Sequence, residues 1–315
     1  MGKIAFIYPG QGAQKAGMGA DFYENSEIAR YIFDQAGEEL DLDMKELCFE
    51  ENVRLDLTEY TQAAMVTTCL AMTRVAESKG LKADITAGLS LGEYPAIAAA
   101  GGMNDMDAIR LVRKRGILMQ NTVPAGEGAM CAVISMAAEE IEKVIEPIAD
   151  VSVANYNCPG QIVITGKTDA VEEAAAKLKE AGARRTIMLN VSGPFHSQML
   201  VPAGEKLAEE LEHTRFHELR IPYVTNVTAE KVTDIRETPG LLTTQISSPV
   251  RWMQSMERMI ADGVDTFVEI GPGKTLEGFL RKIDRSVKVF HISQWEDVDK
   301  VCTELADSGK MMEEA

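Results

Sequence analysis

The sequence lacks the features of several protein classes. Its 315 residues include five cysteines, an odd number without C-x-x-C spacing, so neither a disulfide framework nor a zinc site is indicated. Positive charge is scarce: 32 basic residues face 49 acidic ones, and the net charge of −17 argues against a nucleic-acid or anionic-membrane partner. Long apolar runs, a signal-type N-terminus, internal repeats and low-complexity segments are also missing. We therefore expect a soluble, cytoplasmic protein of one or two domains.

The stretch Gly88–Gly92 has the G-x-S-x-G pattern of a serine nucleophile at a strand-to-helix turn. An apolar run over 85–89 predicts the strand, and a helix-forming run over 93–100 predicts the helix. Without a Cβ at either end of the stretch, the backbone can bend sharply and leave the Ser90 hydroxyl exposed. The first amides of the helix, beginning with that of Leu91, would face an anion forming beside this serine.

Two glycine-rich loops are similar to nucleotide-binding loops, but neither has the complete motif. The loop Pro9–Lys15 follows a predicted strand, but the third glycine of the dinucleotide fingerprint is replaced by lysine. The loop Gly271–Thr275 lacks the first glycine of a phosphate loop, where Val268 stands. No cofactor is therefore predicted. We expect the first loop to bring backbone amides to an active site, with Gln11 at its tip, and the second to be a strand-to-helix turn near that site.

A serine nucleophile needs a base, and the chain has four histidines. His213 and His217 have the spacing of a metal pair on a helix, but no H-E-x-x-H motif accompanies them, so both are expected to face solvent and no metal site is predicted. His291 near the end of an apolar strand is expected in the core or at its rim. His196 differs, because it lies in a loop shaped by glycine and proline at a helix start. It is the favoured base for Ser90.

A predicted helix from Asp105 or Asp107 to about Asn121 carries four basic residues within six positions. Such a cluster usually lies on a solvent-exposed face of its helix. Each residue turns the helix by about 100°, however, so the four cannot all share one face. Arg115, next to a glycine and an apolar stretch, is the candidate to point inward.

The element pattern predicts an α/β fold in two parts. Residues 129–190 show the order β-α-β-β-α-β of a ferredoxin-like unit, and glycines and prolines flank it on both sides. We expect residues 126–193 to be a small ferredoxin-like domain inserted into a large α/β-hydrolase-like domain with a parallel sheet, formed by residues 1–125 and 194–315. The remaining predicted helices cover 27–38, 62–79 with Thr61 as N-cap, 137–148, 170–181 with Asp169 as cap, a segment from Ser197 as cap to about His213, and 250–262. Strands are predicted over 221–226, 266–270 and 287–292, with a proline-containing loop after the first of them, and the acidic C-terminus is expected to be frayed.

The motifs described above resemble, in order and spacing, those of the bacterial malonyl-CoA:acyl carrier protein transacylases, within the wider acyltransferase family of fatty-acid and polyketide synthesis. The resemblance spans nearly the whole chain. It depends on Pro9–Gln14 with Gly17–Gly19, Gly88–Glu93, Arg115-Gly116 with Met119-Gln120, Pro194–Ser197 and Glu269–Lys274.

The resemblance implies a ping-pong transfer of a malonyl group. Ser90 would attack the thioester of malonyl-CoA with His196 as base, CoA would leave, and the phosphopantetheine thiol of acyl carrier protein would take the malonyl group for fatty-acid synthesis. The backbone amides of Gln11 and Leu91 match the oxyanion donors of the family.

The resemblance also implies the roles of further residues. Arg115 matches the arginine that pairs with the free carboxylate of malonate, since a planar fork suits bidentate binding. Gln245 matches the residue whose main-chain carbonyl orients the histidine. Gln62 matches a glutamine near the site, although Ala63 replaces the usual proline beside it. Phe195 matches the pattern of malonyl-selective relatives, in which its bulk would crowd a branched acyl group.

One residue departs from the family pattern. Leu89 stands where a histidine commonly precedes the nucleophile. Since that imidazole packs beneath the turn and is not the base, we expect the reaction to survive, with one hydrogen bond lost and local packing changed.

Three other functions stay open. A discrete acyltransferase of polyketide synthesis would share these motifs. A serine hydrolase is disfavoured because no aspartate follows in the hydrolase order and no H-G-G-G loop is present. A non-catalytic scaffold that binds carrier protein is disfavoured by the intact Ser90 and His196. Because carrier proteins of this pathway are typically acidic, we expect a local docking patch, here called the basic patch, formed by Lys274, Arg281, Lys282 and Arg285.

Overall fold

The computed structural model describes residues 2–307, which form two β-sheets surrounded by helices. The strands are β1 Lys3–Tyr8, β2 Ile85–Gly88, β3 Gly128–Ile134, β4 Val151–Cys158, β5 Gln161–Lys167, β6 Arg185–Met188, β7 Tyr223–Val224, β8 Lys231–Val232, β9 Val264–Ile270 and β10 Lys288–Ile292. The larger sheet has six strands in the order β10-β9-β1-β2-β7-β8, and the smaller has four in the order β4-β5-β3-β6.

The α-helices lie between these strands. They are α1 Ala20–Asn25, α2 Glu27–Leu40, α3 Met44–Phe49, α4 Thr58–Ser78, α5 Glu93–Ala99, α6 Asp105–Asn121, α7 Ala138–Ile145, α8 Thr168–Glu180, α9 Val201–Glu212, α10 Thr238–Gln245, α11 Trp252–Ala261, α12 Thr275–Ile283 and α13 Trp295–Asp307. Short 3-10 helices cover Val53–Asp56, Ser90–Gly92, Gln198–Leu200 and Ile235–Glu237. None of the helices within residues 2–307 is long and apolar enough to span a bilayer.

The larger sheet brings three loops to one edge. Its pairs β10–β9, β9–β1, β1–β2 and β2–β7 are all parallel, and only β7–β8 is antiparallel. The central strands β1 and β2 are buried almost throughout, as expected for parallel strands with helices on both faces. Since parallel strands end at the same edge, the loops after β1, β2 and β9 meet there. These loops contain Gln11, Ser90 and Gly273.

The smaller sheet is entirely antiparallel and has its own core. Elements β3, α7, β4, β5, α8 and β6 follow one another in the chain, and α7 and α8 supply most of the apolar side chains that cover the sheet, including Ile141 and Val171. Strand β4 reaches the other part of the molecule, because the amide of Tyr156 donates to the carbonyl of Val250 at 2.9 Å. This contact joins the smaller sheet to the segment just before α11.

Two predicted helix caps are wrong. Helix α4 begins at Thr58 instead of following Thr61, whose hydroxyl donates to the carbonyls of Leu55 and Leu57 from within the first turn. Helix α8 begins at Thr168, so Asp169 lies in its first turn and is not the cap. In both cases a threonine and an acidic residue begin the helix, and neither sequence pattern distinguishes a cap from a first turn.

Several element lengths also differ from the prediction. The strand predicted over 221–226 is only Tyr223–Val224, and the helix predicted over 137–148 is Ala138–Ile145. The segment interpreted as a proline-containing loop holds α10, in which Pro239 occupies the first turn, where a missing N–H costs little. Helix α13 was also not predicted. The prediction of a frayed acidic C-terminus concerns residues outside the described range.

Candidate active site

Ser90 lies at a tight turn between β2 and α5. Its φ of 52° is in the left-handed region, a strained conformation for a residue with a side chain. The flanking glycines permit close approach of backbone: a Cβ at Gly88 would lie 1.8 Å from the carbonyl oxygen of Gly92, and one at Gly92 would lie 2.2 Å from that of Tyr8. The two glycines therefore allow the close packing of backbone segments, while the strained backbone conformation is that of Ser90.

Asn226, just beyond β7, holds this turn. Its Oδ1 accepts the backbone N–H of Ser90 at 2.6 Å, and its Nδ2 donates to the carbonyl of Gly88 at 2.7 Å. Two side-chain hydrogen bonds therefore brace the strained residue from the neighbouring strand. Sequence reasoning missed Asn226, and the available signal was a polar residue beyond a buried strand on the same sheet edge.

Ser90, His196 and the main chain of α10 form a hydrogen-bonded series. Ser90 Oγ lies 2.7 Å from His196 Nε2, and His196 Nδ1 lies 2.9 Å from the carbonyl oxygen of Gln245. Since a carbonyl only accepts, Nδ1 carries the proton and Nε2 is free to accept the serine proton. This arrangement can generate a serine nucleophile without a carboxylate partner.

The environment keeps His196 neutral. Its side chain is buried, and its backbone φ of 62° is also in the left-handed region. Burial, followed by the nearby charge of Arg115, lowers the pKa of His196 to about 4. At neutral pH the imidazole is therefore unprotonated, as a general base requires.

Arg115 is the member of its basic cluster that faces inward, as the helical geometry predicted. It is 1% exposed, whereas the side chain of Arg110 on the same helix is 50% exposed. Gly116 makes this possible, because a Cβ there would lie 2.8 Å from the Cα of Glu59 in α4. Helix α6 can thus approach α4 closely and carry the guanidinium to the site.

The guanidinium of Arg115 is held by neutral groups on three sides. Its terminal nitrogens donate to Gln62 Oε1 at 2.9 Å, to Gln245 Oε1 at 3.1 Å and to Ser90 Oγ at 3.2 Å. Its carbon lies 5.4 Å from the centre of the Tyr94 ring. Burial lowers its pKa, but an arginine remains protonated at neutral pH. A fixed positive charge therefore lies beside the serine hydroxyl.

A cavity of about 250 Å³ opens beside Ser90 and His196, between the two sheets. Gln11 and Ser90 line it from loops of the larger sheet, Phe195 and His196 from the segment that follows β6, and Asn155 from β4. Gln11 is held in place because its side-chain amide donates to Thr58 Oγ1 at 3.0 Å. Leu91 is the second residue of the 3-10 helix that begins at Ser90. Leu89 is half-buried and also lines the cavity.

The other histidines lie away from this cavity. His213 is exposed, but His217 is half-buried with an inaccessible Nε2, so the prediction that both face solvent is wrong for His217. The Nδ1 of His291 lies 3.7 Å from a carboxylate oxygen of Glu277, at the rim of the core. Residues 2–307 contain no group of three or more histidine, cysteine or acidic side chains arranged to hold a metal ion.

A buried carboxylate at the start of α5 was also missed. Glu93 is 0% exposed, and its Oε2 accepts from Gln245 Nε2 at 2.6 Å and from the backbone N–H of Asn226 at 3.1 Å. Burial raises its pKa to about 7, while these hydrogen bonds act in the opposite direction. The sequence shows only a glutamate in a first helical turn, which is ordinarily a solvent-exposed position.

Comparison with known proteins agrees with this chemistry. The family model described as acyl transferase domain matches residues 5–298. The fold, the paired serine and histidine and this match define an acyltransferase. A malonyl CoA-acyl carrier protein transacylase of Bacillus subtilis (strain 168) is 44% identical over 304 residues, covering 95% of this chain and 96% of the relative. The chain belongs to the malonyl-CoA:acyl carrier protein transacylase family.

Solved structures give the same result. The malonyl CoA-acyl carrier protein transacylase of Clostridium perfringens ATCC 13124 is 42% identical, with a TM-score of 0.94 and 98% of each chain covered. A malonyl-transacylase in complex with its type II polyketide synthase acyl carrier protein is 35% identical, with a TM-score of 0.93, covering 96% of this chain and 99% of the other.

Proposed function

We propose that this protein transfers a malonyl group from malonyl-CoA to the phosphopantetheine thiol of acyl carrier protein, through an acyl-enzyme on Ser90. The observation that carries the proposal is a buried guanidinium, that of Arg115, 3.2 Å from the hydroxyl of a serine that is paired with a neutral histidine. A positive charge at this distance suits an acyl group that ends in a carboxylate.

In the first half-reaction Ser90 Oγ attacks the thioester carbonyl carbon, and its proton passes to His196 Nε2. The negative charge that develops on the carbonyl oxygen faces the backbone N–H groups of Gln11 and Leu91. The carbon–sulfur bond then breaks, and the CoA thiolate takes the proton from the imidazolium. The malonyl carboxylate pairs with the fork of Arg115, which Gln62 orients, while Phe195 limits the width of the acyl group.

In the second half-reaction the thiol of the carrier protein takes the place of CoA. His196 Nε2 accepts the thiol proton, the thiolate attacks the ester, and the proton returns to Ser90 Oγ as the ester bond breaks. The Gln245 carbonyl holds the imidazole in the same tautomer in both halves. Each half-reaction contains two proton transfers, one to His196 Nε2 and one from it, so protons balance over the full cycle.

The basic patch is the proposed docking surface. Its four side chains are all exposed, and they lie on or beside α12, whose residues Thr275, Leu276 and Phe279 line the cavity. A carrier protein docked there would have its prosthetic thiol directed toward Ser90. Because the net charge of −17 repels an acidic partner, such a partner needs a local concentration of positive charge to bind.

The finer fold assignment and the location are also proposals. The order β6-β3-β5-β4, with one helix in each crossover, supports a ferredoxin-like insert at 126–193. Five adjacent strands in parallel support a hydrolase-like large domain from 1–125 and 194–315. A cytoplasmic location fits a role in fatty-acid synthesis.

Two alternatives have specific support. A polyketide carrier is possible as acceptor, because a similar solved structure holds such a protein. A hydrolase would use the same serine and histidine, although the histidine here is paired with a carbonyl and not with a carboxylate. Incubation with malonyl-CoA and holo carrier protein separates transfer from hydrolysis, and a comparison of fatty-acid and polyketide carrier proteins separates the two acceptors. Transfer requires a mass gain on the carrier that Ser90→Ala abolishes, whereas hydrolysis gives free malonate and CoA with no gain on the carrier.

A further inference from the structure

Glu93 is a buried carboxyl group that the reaction as described does not use. It lies three residues after the nucleophile, and its side chain is inaccessible to solvent. Burying a carboxylate is costly unless its charge is compensated, and such groups concentrate at functional sites. Its hydrogen-bond partners identify the group that the charge of Glu93 serves.

The charge acts on Gln245. The side-chain Nε2 of Gln245 donates to Glu93 Oε2 at 2.6 Å and to the carbonyl of Ser90 at 3.0 Å, while its Oε1 accepts from Arg115 at 3.1 Å. If this amide were rotated by half a turn, its oxygen would face the carboxylate and its N–H groups would face the guanidinium. Both contacts would be repulsive, so the anion on one side and the cation on the other select a single orientation.

The same oxygen of Glu93 also supports the nucleophile. Oε2 accepts the backbone N–H of Asn226 at 3.1 Å, and the side chain of Asn226 accepts the backbone N–H of Ser90 at 2.6 Å. One carboxylate oxygen therefore supports the guanidinium of Arg115 through Gln245 and the strained turn at Ser90 through Asn226. Of the two connections, the one through Gln245 depends on charge, whereas the one through Asn226 needs only an acceptor.

We propose that Glu93 is a positioning residue for substrate selection: through the Gln245 amide it fixes the fork of Arg115 toward an acyl carboxylate beside Ser90. This inference depends on the proposed malonyl transfer. It predicts that the charge of Glu93 matters for acyl groups that end in a carboxylate and matters little for those that do not.

The test uses two near-isosteric variants of the full chain. Glu93→Gln removes the charge but keeps an acceptor for the Asn226 amide, and Gln245→Met removes the side-chain amide but keeps the carbonyl that accepts from His196. Initial rates with malonyl-CoA and with acetyl-CoA give kcat and KM for each. Measurements at about pH 8 keep Glu93 ionised in the unsubstituted protein.

We expect kcat/KM for malonyl-CoA to fall about tenfold in each variant, the size of a lost hydrogen bond to a charged group, while the value for acetyl-CoA stays within about threefold. The loss should fall mainly on KM, because the carboxylate contact is made in the bound substrate and in the transition state alike. The double variant should be no worse than Gln245→Met, since Glu93 acts through that side chain.

Glu269→Gln is the matched control. This carboxylate is also fully buried, but it accepts the N–H groups of Leu276 and Glu277 at the start of α12, away from Arg115. A change there should affect both substrates equally. An equal response of both substrates to Glu93→Gln, or effects that multiply in the double variant, would overturn the inference.

The remaining outcomes are also decisive. Should Glu93→Gln not fold, an unchanged malonyl-to-acetyl ratio in Gln245→Met would refute the inference on its own. If the unsubstituted protein forms no malonyl-enzyme, the proposed function itself fails and this inference with it. If that protein is acylated normally and the Glu93→Gln ratio is unchanged, only the role of Glu93 is refuted.

Discussion

Replacing Arg115 by alanine should separate malonyl transfer from acetyl transfer. The guanidinium is 1% exposed and its terminal nitrogens reach Gln62, Gln245 and Ser90 at 2.9 to 3.2 Å. In Arg115→Ala the carboxylate of a bound malonyl group would enter the same buried space without a partner. An acetyl group carries no charge and therefore needs no cationic partner.

The magnitude follows from the burial of that charge. Removing one partner of a buried ion pair costs about 3–5 kcal/mol, so kcat/KM for malonyl-CoA should fall by roughly two to four orders of magnitude. The variant also loses the hydrogen bonds of Arg115 to Gln62, Gln245 and Ser90 Oγ, but these losses are common to both thioesters. Each is worth about 1 kcal/mol, and only the ion pair is specific to malonyl-CoA, so the rate with acetyl-CoA should fall by about tenfold or less.

The assay is the initial rate of CoA release with each thioester in the presence of holo carrier protein, together with a thermal melt to establish that the variant is folded. Arg110→Ala is the control, because this arginine lies on the same helix but is half exposed and paired with Glu39. It should leave both rates unchanged. Equal losses with malonyl-CoA and acetyl-CoA in Arg115→Ala would refute the assigned role.

Three further predictions concern the base, the turn and the docking surface. Burial and the charge of Arg115 lower the pKa of His196 to about 4, so the imidazole is neutral above that pH. The rate at which a neutral sulfonyl fluoride inactivates the protein should therefore stay constant from about pH 8 to about pH 5. A decline centred near the ordinary value of 6.5 would contradict this. Gly88→Ala should lower the free energy of unfolding by roughly 3 kcal/mol or more, because its Cβ would overlap backbone atoms. Gly278→Ala on α12 is the control and should not destabilise the protein, because the space around this glycine is open. Equal denaturation midpoints for the two variants would contradict the packing argument. Reversing the charges of the basic patch should raise KM for carrier protein and abolish or reverse the rise of KM with salt, while leaving acylation by malonyl-CoA unchanged. An unaltered KM would exclude the patch.

The local chemistry of the site was accessible from the sequence because it depends on short patterns. The G-x-S-x-G stretch places a serine at a strand-to-helix turn. Helical geometry prevents the four basic residues of α6 from sharing one face, and the glycine and apolar residues beside Arg115 made it the candidate to point inward. His196 could be separated from the other histidines by its loop composition. The resemblance then named Gln245, whose carbonyl lies 2.9 Å from the histidine ring.

The remaining parts of the site depend on contacts between distant segments. Asn226 and Glu93 meet beside Ser90 although 133 positions separate them. No local pattern marks Asn226, and the motif that includes Glu93 does not show that its carboxylate is buried. Helix α10 was missed because its threonines, glycine and proline disfavour a helix locally, while the burial of Leu242 and Gln245 against the rest of the molecule stabilises it. Tertiary packing outweighs local propensity in such segments.

The central claim is that malonyl transfer passes through an ester on Ser90. It is tested most directly by intact mass spectrometry of the protein after brief exposure to malonyl-CoA, with peptide mapping and with Ser90→Ala in parallel. The account predicts a gain of one malonyl group on the peptide that contains Ser90, absent from the variant and lost when holo carrier protein is added. Transfer of malonate to the carrier with no adduct on Ser90 at any time, or an adduct that persists in Ser90→Ala, would contradict it.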